Sequence, residues 1–395
     1  MTRAKAAIVG VGHSRLLRRD DVPLGVLAVE AVTTAVEDAG LKLTDIDGLS
    51  TTPYQPFEGG GEIDGISLVT PEFVMEALGL DFSWSERQLQ PVGASLINAI
   101  HAVAAGQCRY AVCFRAMHNP AGRPYGFTAP EGTSAAPSEP HHQGAATQFN
   151  TPYGVFPPGK FALLATAHMA RYGSTREQLG QFVVRNRDEA LKWEHGYWYQ
   201  YAPQKLTLEA YLGSRMISSP LCLYDCDLPV QMAGAFVITS EERARDLRHP
   251  PAYVIGTSNP ASLHQLAPQS LDGYMSRGRH LARRLWENAG IGPNDVDVAN
   301  LYDGFSVHTP LWAEALGFCG EGEGFEFVAS PSLPLNTSSG NLGGGRTHGI
   351  GQIMDTVLQV QRRAGQRQVD GAEVCVSVTQ PCDSASGIVL ASSPN

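Results

Sequence analysis

A nine-residue motif of this chain occurs twice. Ala39-Gly-Leu-Lys-Leu-Thr-Asp-Ile-Asp47 returns 250 positions later as Ala289-Gly-Ile-Gly-Pro-Asn-Asp-Val-Asp297, with the Ala-Gly pair, the following aliphatic residue and the Asp-x-Asp in register. The same kinds of segment flank both copies. Leu27, Ala28, Ala31, Val32, Ala35 and Val36 mark the apolar face of a helix from Leu24 to Ala39, stopped by Gly40, and His280 to Asn288 is its counterpart. A strand follows each copy, the second over Val298 to Tyr302. A helix, turn and strand unit repeated at this separation argues for an internally duplicated α/β fold.

The duplication extends beyond the nine residues. Gly93 to Gly106 reads as a buried helix of small and apolar residues, followed by a core strand at Arg109-Tyr-Ala-Val-Cys-Phe-Arg115. Gly351 to Gln361 and Ala372-Glu-Val-Cys-Val-Ser-Val378 have the same order. The expected organisation is a first half over 1–250 and a second over 251–395, with a loop insertion in the first at about 118–215. Within the insertion, His118 to Lys160 is rich in Gly, Pro, Ser and His and lacks periodicity, while Ala162 to Ala170 and Thr175 to Glu189 look helical. Histidines 118, 141 and 142 read as surface residues ahead of metal ligands. The aromatic run from Trp193 to Tyr201 suits a pocket wall, a subunit interface or ordinary core packing.

Composition narrows the function classes. Hydrophobic residues at 43% and charged residues at 17% over 395 residues describe a globular chain with a large core. No apolar run reaches the roughly 18 residues of a membrane span, and no signal-peptide core follows Met1 to Ala7, so a cytoplasmic protein is expected. A net charge of -10 with dispersed basic residues disfavours nucleic acid as a partner. Seven cysteines without a CxxC pair favour reduced, buried thiols; Cys222 and Cys226 alone do not make a zinc site, and no metal is expected. Gly10 and Gly12 follow a buried strand, but the third glycine of a dinucleotide fingerprint is missing.

Polar chemistry concentrates in two stretches of the second half. Asn300-Leu-Tyr-Asp-Gly-Phe305 brings Tyr302 and Asp303 to a strand end, and Asn341-Leu-Gly-Gly-Gly-Arg-Thr-His-Gly349 presents Arg346 and His348 ahead of an amphipathic helix.

These blocks, with Ala6-Ala-Ile-Val-Gly-Val-Gly-His-Ser14, Pro220 to Val230, Gly317 to Phe325 and Pro334 to Leu342, resemble the thiolase superfamily, specifically its sterol-carrier-protein-x or lipid-transfer-protein branch. The resemblance covers nearly the whole chain. It implies a thiolase fold of five layers, α/β/α/β/α, with an inserted loop domain, usually as a homodimer. The departures are informative. The motif that carries the thiolase acyl-accepting cysteine reads Gly93-Ala-Ser95, so an acyl-enzyme at that place is excluded. The Gly-His-Pro motif becomes Gly345-Arg-Thr347 with His348 beyond it, and the Cys-x-Gly loop becomes Pro381 to Gly387, which shifts Cys382 by one. The motif that supplies an oxyanion-hole residue becomes Tyr302-Asp-Gly-Phe305, and Met232 replaces a common glycine.

A thiolase and a retro-aldolase share the enolate of an acyl thioester, but only the thiolase needs a nucleophile to take the departing acyl group. Loss of the cysteine with retention of the site therefore favours cleavage of a β-hydroxyacyl-CoA to a ketone or aldehyde and a shortened acyl-CoA. The resemblance points to steroid side-chain aldolases, which work with a small OB-fold and zinc-ribbon protein. Tyr302 is expected to take or relay the β-hydroxyl proton, His348 to polarise the thioester or assist proton transfer, and Asp303 to orient Tyr302. Gly93, Asn341, Gly344, Gly345, Arg346 and Cys382 are expected to contact substrate, with backbone N–H groups of 343–345 helping to hold the enolate oxygen. CoA belongs to the substrate, and no separate cofactor is expected. Two alternatives remain open here: an acyltransferase with an unusual nucleophile, Cys382 or Ser95, and a non-catalytic acyl-CoA-binding subunit.

Overall fold

The structure, a computed structural model, describes residues 5–18, 20–53, 63–87, 92–117, 157–260 and 270–394. Residues 118–156 of the expected loop insertion, with histidines 118, 141 and 142, lie outside the described residues.

The duplicated unit is visible in the strand order. β1 (Ala6–His13), β2 (Gly48–Thr51), β3 (Trp84–Arg87), β4 (Tyr110–Met117) and β7 (Met232–Ser240) come from the first half. β8 (Ala252–Ser258), β9 (Val298–Asn300), β10 (Val374–Thr379) and β11 (Ser386–Ala391) come from the second, and β5 (Met216–Ser218) and β6 (Leu221–Cys222) form a separate small ribbon. Among the described residues the nine main strands form one sheet in the order β3-β2-β4-β7-β1-β8-β11-β10-β9. Read outward from the centre, β1-β7-β4-β2 and β8-β11-β10-β9 are the same series. In each, the first and second strands pair antiparallel, the second and third antiparallel, and the third and fourth parallel. The two series meet where Ala7 and Ile8 of β1 face Tyr253 and Ala252 of β8.

Alternation along each strand sends side chains to different cores. Ala7 and Val9 of β1, with Val112 and Phe114 of β4, pack under the helix Leu24–Asp38. Ala6, Ile8, Ala111 and Cys113 face the other way, onto the helices Val92–Ala104 and Ile350–Val360. Cys375, Ile388 and Leu390 of the second half enter the same central core, whereas Val376, Val378 and Val389 pack under the helices Leu271–Ala289 and His308–Leu316. Helices thus cover both faces of the sheet in each half, in a mixed α/β body. The helices Val92–Ala104 and Ile350–Val360 share a core with strands of both halves, so most of Val92–Ala104 is buried and its sequence is largely apolar.

Two elements differ from their sequence reading. The helix before the second repeat begins at Leu271, well before His280, because the Ser270 hydroxyl caps it by accepting from Gly273 N at 3.1 Å and Leu271, Tyr274 and Met275 are buried. Small and polar residues in its first turns hide that periodicity. β9 instead ends at Asn300, because Leu301 leaves the ladder to donate its N–H to Asn336 Oδ1 at 2.7 Å. That exchange turns Tyr302 and Asp303 out of the sheet into the interior.

Because the central core takes side chains from both halves, they should unfold together. Leu390→Ala in the second half, where Leu390 is fully buried, should cost about 2–5 kcal/mol. Urea unfolding followed by far-UV circular dichroism and by tryptophan fluorescence should still show one coincident transition.

Candidate active site

Asp303 is the fixed point of the site. Its carboxylate is fully buried and accepts five hydrogen bonds. Asn341 N at 2.7 Å, Asn341 Nδ2 at 3.1 Å and Gln352 Nε2 at 2.8 Å reach Oδ1, while Asn186 Nδ2 at 3.0 Å and Leu342 N at 3.4 Å reach Oδ2. The donors come from the inserted helix Arg176–Ala190, the turn Gly340–Gly343 and the central helix Ile350–Val360. Gly340 lies so close to the carboxylate, at φ +57°, that any Cβ there would overlap it. Burial pushes the Asp303 carboxyl up to about 7 against the pull of these donors. Asp303 thus holds the backbone that carries the other site residues.

Asn341 passes that order on to His348. Its side-chain oxygen accepts the N–H groups of Thr347 and His348, each at 3.0 Å, and so steadies His348 at a left-handed φ of +51°. A non-glycine residue held there signals a constraint imposed by its surroundings. The His348 ring is buried, and its Nδ1 accepts from Arg115 Nη2 at 3.2 Å. An acceptor Nδ1 requires the neutral ring to carry its proton on Nε2. Burial, Arg115 and Arg346 all hold the imidazole well below its usual range, so it stays neutral.

Tyr302 is buried with its hydroxyl folded over Gly304, and its ring lies 5.5 Å from that of His308. Burial and the negative charges of Asp227 and Asp303 push its phenol well above the usual range, opposed by Arg346 and Arg115. It is a protonated phenol at neutral pH. Asp227 is brought to this side by its N–H, which donates to Gly304 O at 3.2 Å. Tyr302, Asp303, Arg346 and His348 therefore gather in one electrostatic neighbourhood.

The glycine-rich turn contributes fewer donors than its sequence suggests. The N–H groups of Gly343 and Gly344 are consumed by Ser339 O and Gly340 O, because this stretch folds into a helical turn. Arg346 N donates to Leu228 O. Within 341–348 only the Gly345 N–H meets no acceptor among the described residues.

Gly93 stands in the first turn of Val92–Ala104, and the space a side chain would need is filled. A Cβ built there would meet Thr379 Oγ1 at 2.6 Å and Ser386 Cβ at 2.7 Å. Thr379 also packs on Gly349, next to His348, so it links the helix start to the histidine loop. Ser95 is fully buried, with its hydroxyl 2.8 Å from Thr52 Oγ1. Burial pushes the Cys382 thiol well above its usual range, and its sulfur lies against Gly278. Among the described residues no histidine or carboxylate is hydrogen-bonded to either side chain to make it a nucleophile. Met232 joins Leu16, Val230 and Tyr197 in a small apolar cluster, and the Trp193 to Tyr201 run braces the turn through Trp198 Nε1, which donates to Leu342 O at 2.8 Å. Cys222 and Cys226 flank Asp225, whose carboxylate accepts from Tyr211, Ser306 and the Cys222 N–H.

Reading the sequence does not single out Arg115, His308, Asp227, Asn186 or Gln352. Arg115 does carry a signal, as the one cation inside the apolar run of β4; the others give none.

Fold and site together define a duplicated acyl-thioester enzyme body from which the cysteine nucleophile has been removed. Known proteins agree. The family of thiolase C-terminal domain-like sequences matches residues 261–390. The chain is 32% identical to the 17-hydroxy-3-oxo-4-pregnene-20-carboxyl-CoA lyase of Mycobacterium tuberculosis, covering 99% of this chain and 100% of that one. It is 31% identical to the steroid side-chain-cleaving aldolase of Thermomonospora curvata, covering 94% of each. It superposes on the Ltp2-ChsH2(DUF35) aldolase with a TM-score of 0.85 at 28% identity, over 99% of this chain and 98% of the other. The chain belongs to the thiolase superfamily, in its branch of aldolase-type carbon–carbon lyases.

Two outcomes test the site. Gly93→Cys should not restore a thiolase: overpacking against Thr379 and Ser386 should cost about 1–3 kcal/mol in denaturant unfolding, and mass spectrometry after incubation with acyl-CoA should find no acyl adduct on the introduced thiol. His348→Gln addresses pH. An unfolded histidine takes up a proton below about 6.5, but folded His348 does not, so its contribution is complete above that pH and is lost as pH falls. Wild-type stability relative to the variant should drop by about 1.4 kcal/mol per pH unit below pH 6.5.

Proposed function

We propose that this chain cleaves the Cα–Cβ bond of a β-hydroxyacyl-CoA with a bulky, steroid-like side chain, releasing a ketone or aldehyde and a shortened acyl-CoA. The observation that carries this reading is Gly93, closed off by Thr379 and Ser386 where an acyl-accepting thiol would be needed. The relatives named for steroid acyl-CoA cleavage supply the substrate class.

The chemistry needs no net base. The proton leaving the β-hydroxyl is balanced by one arriving at Cα, while the Cα–Cβ electron pair becomes the thioester enolate and Cβ–O becomes a carbonyl. A protonated phenol suits that exchange: Tyr302 takes the hydroxyl proton as it gives its own to Cα. His348 Nε2–H, with its Nδ1 held by Arg115, and the Gly345 N–H serve as donors to the enolate oxygen. Asp303 and Asn341 position them, and Arg346 balances developing negative charge. CoA is read as part of the substrate and not as a separate cofactor.

The relative solved as Ltp2-ChsH2(DUF35) supports a small partner protein of the DUF35 kind, read here as the OB-fold and zinc-ribbon partner. β3, at the edge of the sheet among the described residues, offers backbone to a second copy in a homodimer. Among the described residues no helix is long and apolar enough to cross a membrane. Seven free thiols suit a reducing, cytoplasmic setting.

Purified protein, with and without a DUF35 partner, should release ketone or aldehyde from β-hydroxyacyl-CoA thioesters without forming an acyl-protein adduct. Tyr302→Phe should reduce that release by roughly 10²–10⁴ with little change in KM. Full activity of the variant would remove Tyr302 from the mechanism, and a stable acyl adduct would replace the aldolase by a transferase.

A further inference from the structure

His308 opens the helix His308–Leu316, one turn beyond Tyr302-Asp-Gly-Phe305, and it is fully buried. Aromatic rings enclose it, with Phe161 at 4.3 Å, Tyr302 at 5.5 Å and Phe305 at 6.0 Å between centroids. Its Nδ1 is 2.9 Å from the Tyr274 hydroxyl, whose oxygen accepts the Cys382 N–H at 3.1 Å. Assigning the Tyr274 proton to His308 makes Nδ1 the acceptor and places the proton of the neutral ring on Nε2. That Nε2–H is buried and finds no acceptor among the described residues. Orphaned buried donors are rare, since an unmade hydrogen bond costs about 1–3 kcal/mol.

Burial holds the ring near pKa 3, so it is not a cation waiting for a carboxylate. It has the same chemical form as His348: a neutral imidazole with Nδ1 occupied from within the protein and Nε2–H left over. Two such donors on a site that must hold two substrate oxygens, the thioester oxygen and the β-oxygen, suggest one for each. His348 sits beside Arg115 and Arg346, at the end where enolate charge develops. His308 sits against Tyr302, walled by Phe161 and Phe305 and near the Lys160–Asp383 pair, which is joined at 2.8 Å.

We propose that His308 is a further catalytic residue of this site, whose Nε2–H donates to the β-oxygen of the substrate and remains on it as that oxygen becomes the carbonyl of the released fragment. This rests on the retro-aldol reading above. The bond aims the β-hydroxyl proton at Tyr302 and stabilises the oxygen as the proton leaves. His308 neither gains nor loses a proton in the step; the proton moves through Tyr302, and the Cα–Cβ electron pair goes to the enolate. The aromatic wall makes the released fragment's end apolar, with His308 its polar contact.

The test compares binding before turnover. Isothermal titration of Tyr302→Phe, which leaves the substrate intact, should show at least about tenfold tighter binding of a β-hydroxyacyl-CoA than of the acyl-CoA lacking the hydroxyl. Adding His308→Leu should abolish that preference, and adding His308→Gln, which keeps a donor, should retain most of it. In otherwise native protein, His308→Leu should lower kcat for cleavage by roughly 10²–10³ and raise KM by about tenfold, in step with the lost hydroxyl preference. An unchanged hydroxyl preference in the His308→Leu protein overturns the proposal and leaves a trapped water as the partner of Nε2. If the leucine variant does not fold, Tyr274→Phe replaces it: freeing Nδ1 to carry the proton should weaken the preference, and no change overturns the assignment. If the wild type binds hydroxylated thioesters preferentially through His308 but cleaves none, the retro-aldol reading fails while the β-oxygen contact stands.

Discussion

The buried carboxylate of Asp303 is the interaction on which the site depends. Removing a carboxylate from water costs several kcal/mol unless its lone pairs are satisfied, and here five donors from three separate segments satisfy them. The balance is close, as the rise of its carboxyl to about 7 indicates. Close balance makes the arrangement specific: the inserted helix with Asn186, the turn with Asn341 and the central helix with Gln352 must all be in place. One charge thereby docks the insertion, the second-half turn and the core helix at a single point. His348 inherits its left-handed backbone from this junction through Asn341.

The surroundings of Gly93 leave no room for a side chain. Thr379 and Ser386 occupy the volume above Gly93, and Thr379 bridges to Gly349 beside His348. The first-half helix therefore no longer presents a reactive atom but supports the loop that carries His348. Across the site, an Arg115 guanidinium at Nδ1 of His348 and a tyrosine hydroxyl at Nδ1 of His308 produce the same result by different means. Each leaves a neutral ring with one N–H to spend. A site made of neutral donors and a protonated phenol is suited to moving one proton within a substrate, because nothing in it must be recharged between turnovers.

Much of the fold was legible in the chain itself. The repeat of Ala39 to Asp47 at Ala289 to Asp297 implied duplication, and the matching strand series on either side of the β1–β8 junction express it. Helices with a continuous apolar face, such as Leu24–Asp38, appear where their spacing placed them. Where local signals were mixed, tertiary packing won. The helix from Leu271 starts early because its first turns are buried, and β9 stops early because the Asn336 side chain takes the next N–H.

The sequence by itself determined the class of chemistry, since a glycine has no nucleophile to offer and a tyrosine in the Tyr302-Asp-Gly-Phe305 stretch changes the proton-handling group. It also marked candidate residues of the second half, because Tyr302, Asp303, Asn341 and His348 lie in motifs a few residues long. Only the tertiary structure decided their surroundings. Arg115 is 233 positions from His348 and Asn186 is 117 from Asp303, and hydrogen bonds over such separations leave no local pattern to read. Protonation follows the same rule: a phenol or an imidazole acquires its working state from burial and neighbouring charge, and those exist only after the chain has folded.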